Sequence, residues 1–365
     1  MTLDDLRSHN SEVTTPISTE YKSVRLWELP PNSQGLVALL LLNILENFPQ
    51  LKATGHNSSD YIHVLVEAVR LAQTDGLCYL GDPAHTSIPL ETLLDKSYSS
   101  QRAQLITMDR AMEQTKPGPI TASDTVYFCI IDSQGNACSF VNSTYMGFGT
   151  GLVPDGCGFS LQNRGANFSL HRGHINCIAG GKRSYHTIIP ALLTDSVTKP
   201  QKPQQLLAAL GVMGAFMQPQ GHVQVLLNMM EFGMNPQQAL DAPRVFVQYE
   251  QKTGQWCVNL EEGIEQEVAE ELRRRGHEVN WPVIELEINV GIMGLKGITD
   301  EQFTGTELIS LLTLTGHQRS QFGRGQIITV GDWWNPSATQ ACCPPRVLWA
   351  GSDPRADGCA LGYYC

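Results

Sequence analysis

Asp124-Thr125-Val126-Tyr127-Phe128-Cys129-Ile130-Ile131-Asp132, the turn Ser133-Gln134-Gly135-Asn136, then Ala137-Cys138-Ser139-Phe140-Val141-Asn142: this stretch decides the fold. Val, Ile, Phe, Tyr and Cys recur through both runs, and a polar turn containing Gly joins them. The pattern predicts a hairpin of two largely buried strands over 125–132 and 137–142. Immediately upstream, Lys116-Pro117-Gly118-Pro119-Ile120-Thr121-Ala122-Ser123-Asp124 is rich in chain breakers and reads as an exposed segment, the best internal boundary in the chain. A hydroxyl nucleophile needs a base in reach and donors aimed at the developing oxyanion. Thr125 opens a buried strand behind a loop that can be cut, and a freed α-amino group there, with a pKa of about 7.7 to 8, can serve as that base. Local pattern alone favours the plainer interpretation, a strand-initiating Thr.

Outward from the hairpin, the period changes. Pro30-Pro31-Asn32-Ser33-Gln34-Gly35 forms a loop, and Leu36 to Leu45 is apolar on nearly every face, as a buried helix must be. Ser59 and Asp60 signal a second helix through Tyr61, Ile62, Val64, Leu65, Ala68, Val69 and Ala72, with Gly76 expected to end it. A mostly polar helical pattern follows over 96–113. Past the hairpin, strands are expected over 186–193, 206–213 and 244–249. Helices are expected over 223–231 and 265–275, the latter stopped by Gly276. Buried strands alternating with helices predict layered sheets packed between helices. No GxGxxG follows a strand, and Gly147, Gly149 and Gly151 miss that spacing, so a dinucleotide fold is excluded. No GxSxG occurs, which removes the hydrolase elbow.

The chain has 365 residues, suggesting roughly two units at about 150 residues each. Apolar residues are 42% and charged ones 17%, enough to fill a core and too apolar for a disordered chain. The formal charge of -11, with no Lys/Arg block longer than Arg273 to Arg275, excludes a basic nucleic-acid stripe. The longest apolar run, Leu36 to Leu42, breaks at Asn43 and is too short to span a bilayer. Ten cysteines do not make a disulfide scaffold, and the start Met1-Thr2-Leu3-Asp4-Asp5 lacks a secretory pattern, so a cytoplasmic location is the default expectation. Cys342 and Cys343 lack partners at zinc spacing, and neither a metal nor a cofactor is expected. Accidental Cys/His pairs come easily with ten of each, and Cys129 and Cys138 read as small buried thiols of the hairpin.

Asp124-Thr125-Val126-Tyr127, Ile131-Asp132 and Gly135-Asn136-Ala137 resemble the start of the small subunit in γ-glutamyltranspeptidases, more closely the acylase-like branch with cephalosporin (glutaryl) acylases. The resemblance continues through Gly147-Phe148-Gly149-Thr150-Gly151, Leu161-Gln162-Asn163-Arg164-Gly165-Ala166, Gly181-Lys182-Arg183 to Pro190, Gly211 to Gly221, and Trp349-Ala350-Gly351-Ser352-Asp353-Pro354-Arg355-Ala356-Asp357-Gly358. Asp5-Leu6, Pro16-Ile17-Ser18 and Pro30 to Leu45 resemble the later part of the family's large subunit. The resemblance implies an α+β fold, the four-layer αββα sandwich of N-terminal nucleophile hydrolases, with part of the large-subunit half missing. Residues 1–124 would be the large-subunit remnant and 125–365 the small, catalytic subunit, the two staying associated after self-cleavage before Thr125.

It also implies roles. Thr125 would be the nucleophile, and Ser143 would hydrogen-bond its amino group. Gly214 and Ala215 would offer backbone N–H groups to the oxyanion, provided Ala215 tolerates the backbone angles there. His186 and Thr187 fall where the family binds the substrate carboxylate, although His186 can equally be a satisfied strand histidine. In the same pocket Asn167 replaces an Asp that pairs with a γ-glutamyl ammonium, Tyr145 replaces an Asn, and Arg164 replaces a Gln. Losing a carboxylate and gaining a guanidinium shifts recognition from a zwitterion towards an anion, so a glutaryl-like acyl group fits better than γ-glutamyl. The partners expected are thus a small γ-glutamyl or dicarboxylic-acyl amide with water or an amine as acceptor.

Residues 284–315 have no counterpart in the resemblance and read equally as an inserted surface loop or a translated non-coding segment, and 332–346 are similarly unmatched. With most of the large subunit absent, the alternative is a truncated, inactive member acting as a binding or structural protein, or a fragmentary gene product.

Overall fold

A computed structural model describes residues 4, 7–113, 124–196, 204–250, 253–283, 321–335, 347–356 and 358–362. In chain order, the elements that place the site are β1 (Ile17–Tyr21), β2 (Val24–Glu28), α1 (Gly35–Leu45), α2 (Ser59–Tyr79), α3 (Lys96–Ala103), β3 (Asp124–Ile131) and β4 (Ala137–Tyr145). They continue as β5 (Ala191–Asp195), β6 (Leu206–Met213), α4 (Met217–Met230), α5 (Pro236–Asp241), β7 (Val245–Glu250), β8 (Gln255–Glu261), α6 (Gln266–Arg274), β9 (Glu278–Val283), β10 (Arg324–Val330) and β11 (Leu348–Ser352). The expected boundary loop before Thr125, the 284–315 insertion and Cys342–Cys343 lie outside the described residues.

Six strands form one antiparallel sheet in the order β1-β2-β5-β6-β10-β11. One of its faces carries helices. Every residue of α1 is buried, as its unbroken apolar run requires, and its one polar interior side chain, Asn43, accepts from Thr19 and Lys96. The other face carries the β3–β4 hairpin, packed on β6 and β10. The helix layer, the large sheet and the hairpin are the α–β–β part of the αββα sandwich. A third sheet, β7-β8-β9, stands beside α4. Gln220 and Gln224 of α4 each pair with a backbone N–H and carbonyl of β7, so these buried amides complete that strand's ladder.

Several expectations need correction. The second helix is capped by Ser58, whose Oγ accepts from Tyr61 N at 3.2 Å, and it runs through Gly76 to Tyr79. Gly76 is there for packing: a Cβ on it would lie 2.5 Å from Val37 Cγ2 of α1. The 96–113 helix stops at Ala103 because later backbone groups find partners elsewhere. Thr107 O accepts from His63 Nε2 (2.7 Å), Met112 N donates to Glu67 Oε2 (2.7 Å) and Ala111 N to Arg275 O (2.7 Å). The 186–193 strand begins only at Ala191, since the His186 backbone pairs with Asn32 and Gln34 instead. The 223–231 helix starts earlier, at Met217, because its first-turn glutamines are buried rather than solvated. The hairpin is buried on one face only: Val126, Phe128, Ile130 and Phe140 stay exposed on the outer face, with the rings of Phe128 and Phe140 stacked at 4.8 Å, and Cys138 is exposed as well.

The C-terminal strand is locked to the core by four buried charges. Arg355 donates to Glu261 and Asp353, Arg244 donates to Asp353 at 2.6 Å, and both guanidiniums also bond Leu240 O. Burial favours the neutral carboxyl of Asp353, but the two arginines hold it below the ordinary range. Removing one partner strands opposite charges in a dry interior. Arg355→Met should therefore lose about 3 to 5 kcal/mol of stability, measured by urea unfolding; a loss under about 1 kcal/mol would show the network to be water-accessible.

Candidate functional site

The site is built where the hairpin meets the end of β6. Tyr127 inserts its ring over Gly211, where a Cβ would fall 2.3 Å from the ring, and Tyr127 hydroxyl bonds Ser139, which donates to Leu210 O. This close approach holds β3 against the sheet and fixes Thr125 two residues away. The β3–β4 register shifts across Thr125: Asp124 opposes Tyr145, while Val126 opposes Asn142. Such bulges re-aim side chains locally, and this one turns a regular ladder into a pocket wall.

Thr125 is buried, and its hydroxyl donates to Ser143 Oγ at 3.3 Å. Ser143 Oγ also accepts from Tyr145 N at 3.0 Å. An open cleft of about 170 Å³ is lined by Thr125, Val126, Asn142, Ser143, Thr144 and Gly147. Tyr145, wholly buried, has φ +81°, a left-handed conformation that is uncommon for a bulky residue and costs of order 1–3 kcal/mol. Its hydroxyl donates to Asn167 Oδ1, whose Nδ2 donates to Tyr185 O at 3.0 Å. Asn167 is therefore held at both ends of its amide.

Arg164 is 7% exposed and stacks on the Tyr145 ring, 5.3 Å from its centroid. Its Nη2 donates to Ser143 O at 3.3 Å, while Nη1 is buried without a hydrogen-bond partner among the described residues. No carboxylate pairs with it among the described residues. Burial lowers its pKa, as expected for a charge held without a counter-ion. His186 lies nearby: burial, then the positive charges of Arg164 and Arg183, push its imidazole down to about 3. It is neutral at physiological pH. The Thr187 hydroxyl is buried and has no partner among the described residues.

Gly214 and Ala215 follow β6 with φ values of +129° and +50°. The positive φ of Ala215 costs a non-glycine residue about 1 to 2 kcal/mol. A Cβ on Gly214 would sit 3.0 Å from Gly323 Cα, so this turn is packed against a second backbone. Their carbonyls accept from Met217 N (2.8 Å) and Gln218 N (3.2 Å); among the described residues neither N–H has an acceptor. The two residues stand outside the lining of the Thr125 cleft. Thr125, Ser143, Tyr145, Asn167 and Arg164 are thus joined directly, whereas His186 and Thr187 join Ala215 through a residue that sequence reasoning missed, Gln34. Tyr185 and Asn176 were missed too: Asn176 bridges Asn167 O and Tyr185 N. No group of metal-ligating side chains occurs among the described residues, and no helix among them is long and apolar enough to cross a membrane.

A helix-covered antiparallel sheet with a second sheet on its other face, and a buried strand-initial hydroxyl between them, defines the N-terminal nucleophile hydrolase class of folds. The family model described as gamma-glutamyltranspeptidase matches residues 1–296, and the chain belongs to that family. It is similar to the glutathione hydrolase-like YwrD proenzyme of Bacillus subtilis (strain 168), 42% identical over 246 residues, 67% of this chain and 44% of that one. An acylase ACY 1 proenzyme of Pseudomonas sp. (strain V22) is 32% identical over 277 residues, 75% of this chain and 47% of its own. The crystal structure of a cephalosporin acylase from Bacillus halodurans superposes with a TM-score of 0.77 and 37% identity, covering 100% of this chain and 56% of that chain. The chain spans about half the length of the curated relatives it matches.

The neutral His186 carries a pH signature. Its folded pKa of about 3 lies below the free value of about 6.5, so the unfolded chain binds the proton first. The associated stability is complete above about pH 6.5 and drains away as the pH falls, by up to about 1.4 kcal/mol per unit. Unfolding measured from pH 7 to about pH 5 should show a shallower loss for His186→Gln than for the wild type; parallel curves would mean an ordinary, solvated imidazole.

Proposed function

We propose that the protein is an N-terminal threonine hydrolase/acyltransferase that cleaves itself before Thr125 and then cleaves dicarboxylic-acyl amides, glutaryl-type in preference to γ-glutamyl. In the first reaction Thr125 Oγ adds to the Asp124 carbonyl carbon and the C–N bond breaks, leaving an ester and a free amine. Water then hydrolyses the ester, giving the Asp124 carboxylate and a Thr125 terminus. In turnover that amine takes the hydroxyl proton, Oγ attacks the substrate amide, and the proton passes to the departing amine. The acyl-threonine ester goes to water or to an acceptor amine. The Thr125–Ser143 hydrogen bond supports this assignment, because it holds a second hydroxyl against the candidate nucleophile. The N–H groups of Gly214 and Ala215 serve the oxyanion in this scheme.

One observation carries the substrate class: among the described residues, the buried Arg164 guanidinium has an unpartnered Nη1 and no carboxylate beside it. An anionic acyl tail completes such a group; a γ-glutamyl donor brings the same carboxylate, but with an α-ammonium beside it that the guanidinium repels. Asn167, already occupied by Tyr145 and Tyr185, offers the ammonium no charge. His186 and Thr187 would take the tail's remaining oxygens. A second reading, a family member that binds without turning over, is favoured by the bare outer face of the hairpin at Val126, Phe128 and Phe140.

A denaturing gel of purified protein separates the two. The wild type should split at Asp124/Thr125 and Thr125→Ala should stay whole; a single intact band from the wild type would support the non-catalytic reading. Glutathione should be a poor substrate, and Arg164→Gln should lower kcat/KM for a glutaryl anilide about 10- to 100-fold, the worth of a hydrogen bond to a charged group. Strong turnover of the γ-glutamyl anilide with none of the glutaryl one would overturn the preference.

A further inference from the structure

The loop ahead of α1 runs beside the segment that holds His186 and Thr187, and its contacts form a short ladder. Asn32 Nδ2 donates to Ser184 O (2.6 Å), His186 N to Asn32 O (3.1 Å), and Gln34 N to His186 O (3.1 Å). The Gln34 side chain then leaves the ladder and bridges to the β6–α4 turn. Its Nε2 donates to Thr187 O at 3.0 Å and to Ala215 O at 2.7 Å, and its Oε1 accepts from Tyr185 hydroxyl at 2.8 Å. Gln34 is fully buried, and both amide hydrogens and the amide oxygen are used.

We infer that Gln34 is a positioning residue for the oxyanion turn: it fixes the Ala215 carbonyl, and through it the left-handed backbone that turns the Gly214 and Ala215 N–H groups away from the protein's own acceptors. The inference rests on the acyl-transfer reading above for its chemistry, but its geometry stands alone. An alanine at φ +50° relaxes to a right-handed or extended backbone unless something over-determines it. Gln218 N supplies one hydrogen bond to the Ala215 carbonyl, and Gln34 supplies the shorter one. The same amide holds Thr187 O, so the turn and the Tyr185–Thr187 segment move as one body. Tyr185 orients the amide in turn, because its hydroxyl donates to Oε1 and so commits the opposite end to donate. Gln34 precedes the proposed cleavage point and the two segments it joins follow it. A residue of one product would therefore order the donors of the other.

Gln34→Met keeps the volume and removes every side-chain hydrogen bond. Its crystal structure should show Ala215 out of the left-handed region. Its kcat for a glutaryl anilide should fall about 30-fold, short of the 10²–10³ lost when an oxyanion donor is removed outright, with KM within about threefold and self-cleavage before Thr125 retained. Tyr185→Phe, which frees one end of the amide, should give a smaller loss in kcat with the same KM pattern. Ala215 staying near φ +50° in Gln34→Met, or a kcat within twofold of the wild type, overturns the inference. A wild type that neither cuts itself nor turns over removes the acyl-transfer reading instead, and the Ala215 backbone then decides this one.

Discussion

The approach of Tyr127 to the bare backbone of Gly211 governs the rest of the architecture. Two sheets packed face to face normally sit about 10 Å apart, and a side chain at position 211 would hold the hairpin off β6 locally. Without one, the Tyr127 ring lies on the strand, Ser139 reaches Leu210, and the first residues of β3 are pressed to the end of β6. Thr125 inherits its burial from that contact, and the bulge opposite it opens the cleft. The nucleophile candidate is thus placed by sheet-on-sheet packing, with its own hydrogen bond to Ser143 as the last adjustment.

The polar interior divides into two kinds of charge. Around Arg244, Arg355, Asp353 and Glu261 every charge meets its opposite, and the ensemble ties α5, β8, β10 and β11 together. Around Arg164 the balance is left open. Its ring partner is Tyr145, its neighbour His186 has shed its proton, and the described residues bring no anion to it. A folded chain tolerates such an imbalance only at a cost, and a ligand of the right sign is the economical way to relieve it. In the proposed function, that imbalance is where the acyl carboxylate binds.

Much of this was legible in the sequence. The helix over Leu36–Leu45 follows from apolar residues on every face, and β6 over Leu206–Met213 from its unbroken run. Hairpin existence followed from period, but its burial did not, because Val126, Phe128 and Ile130 look like core residues wherever they point. Gly76 was misread for a general reason: a helix-ending glycine and a helix-packing glycine are the same letter, and only Val37 across the interface tells them apart. Thr125, Ser143, Arg164 and Asn167 were visible through family resemblance, and the structure adds that they form one hydrogen-bonded cluster. Gln34 was beyond reach. Its meaning depends on partners 151 to 181 residues away, and nothing local in Asn32-Ser33-Gln34 separates a hub from a loop.

The strand order has a further consequence. β2 lies hydrogen-bonded to β5, so the central sheet is woven from chain on both sides of the 124/125 bond. α1 and α4, likewise from opposite sides, share one hydrophobic core. Breaking that bond would therefore release no fragment. Two polypeptides would hold together across one protein interior, and dissociation and denaturation would be a single event, so the stability of the cut protein would depend on its concentration where that of the uncut chain would not. Only the ends at the cut would gain freedom, and those are the atoms whose liberty the chemistry requires.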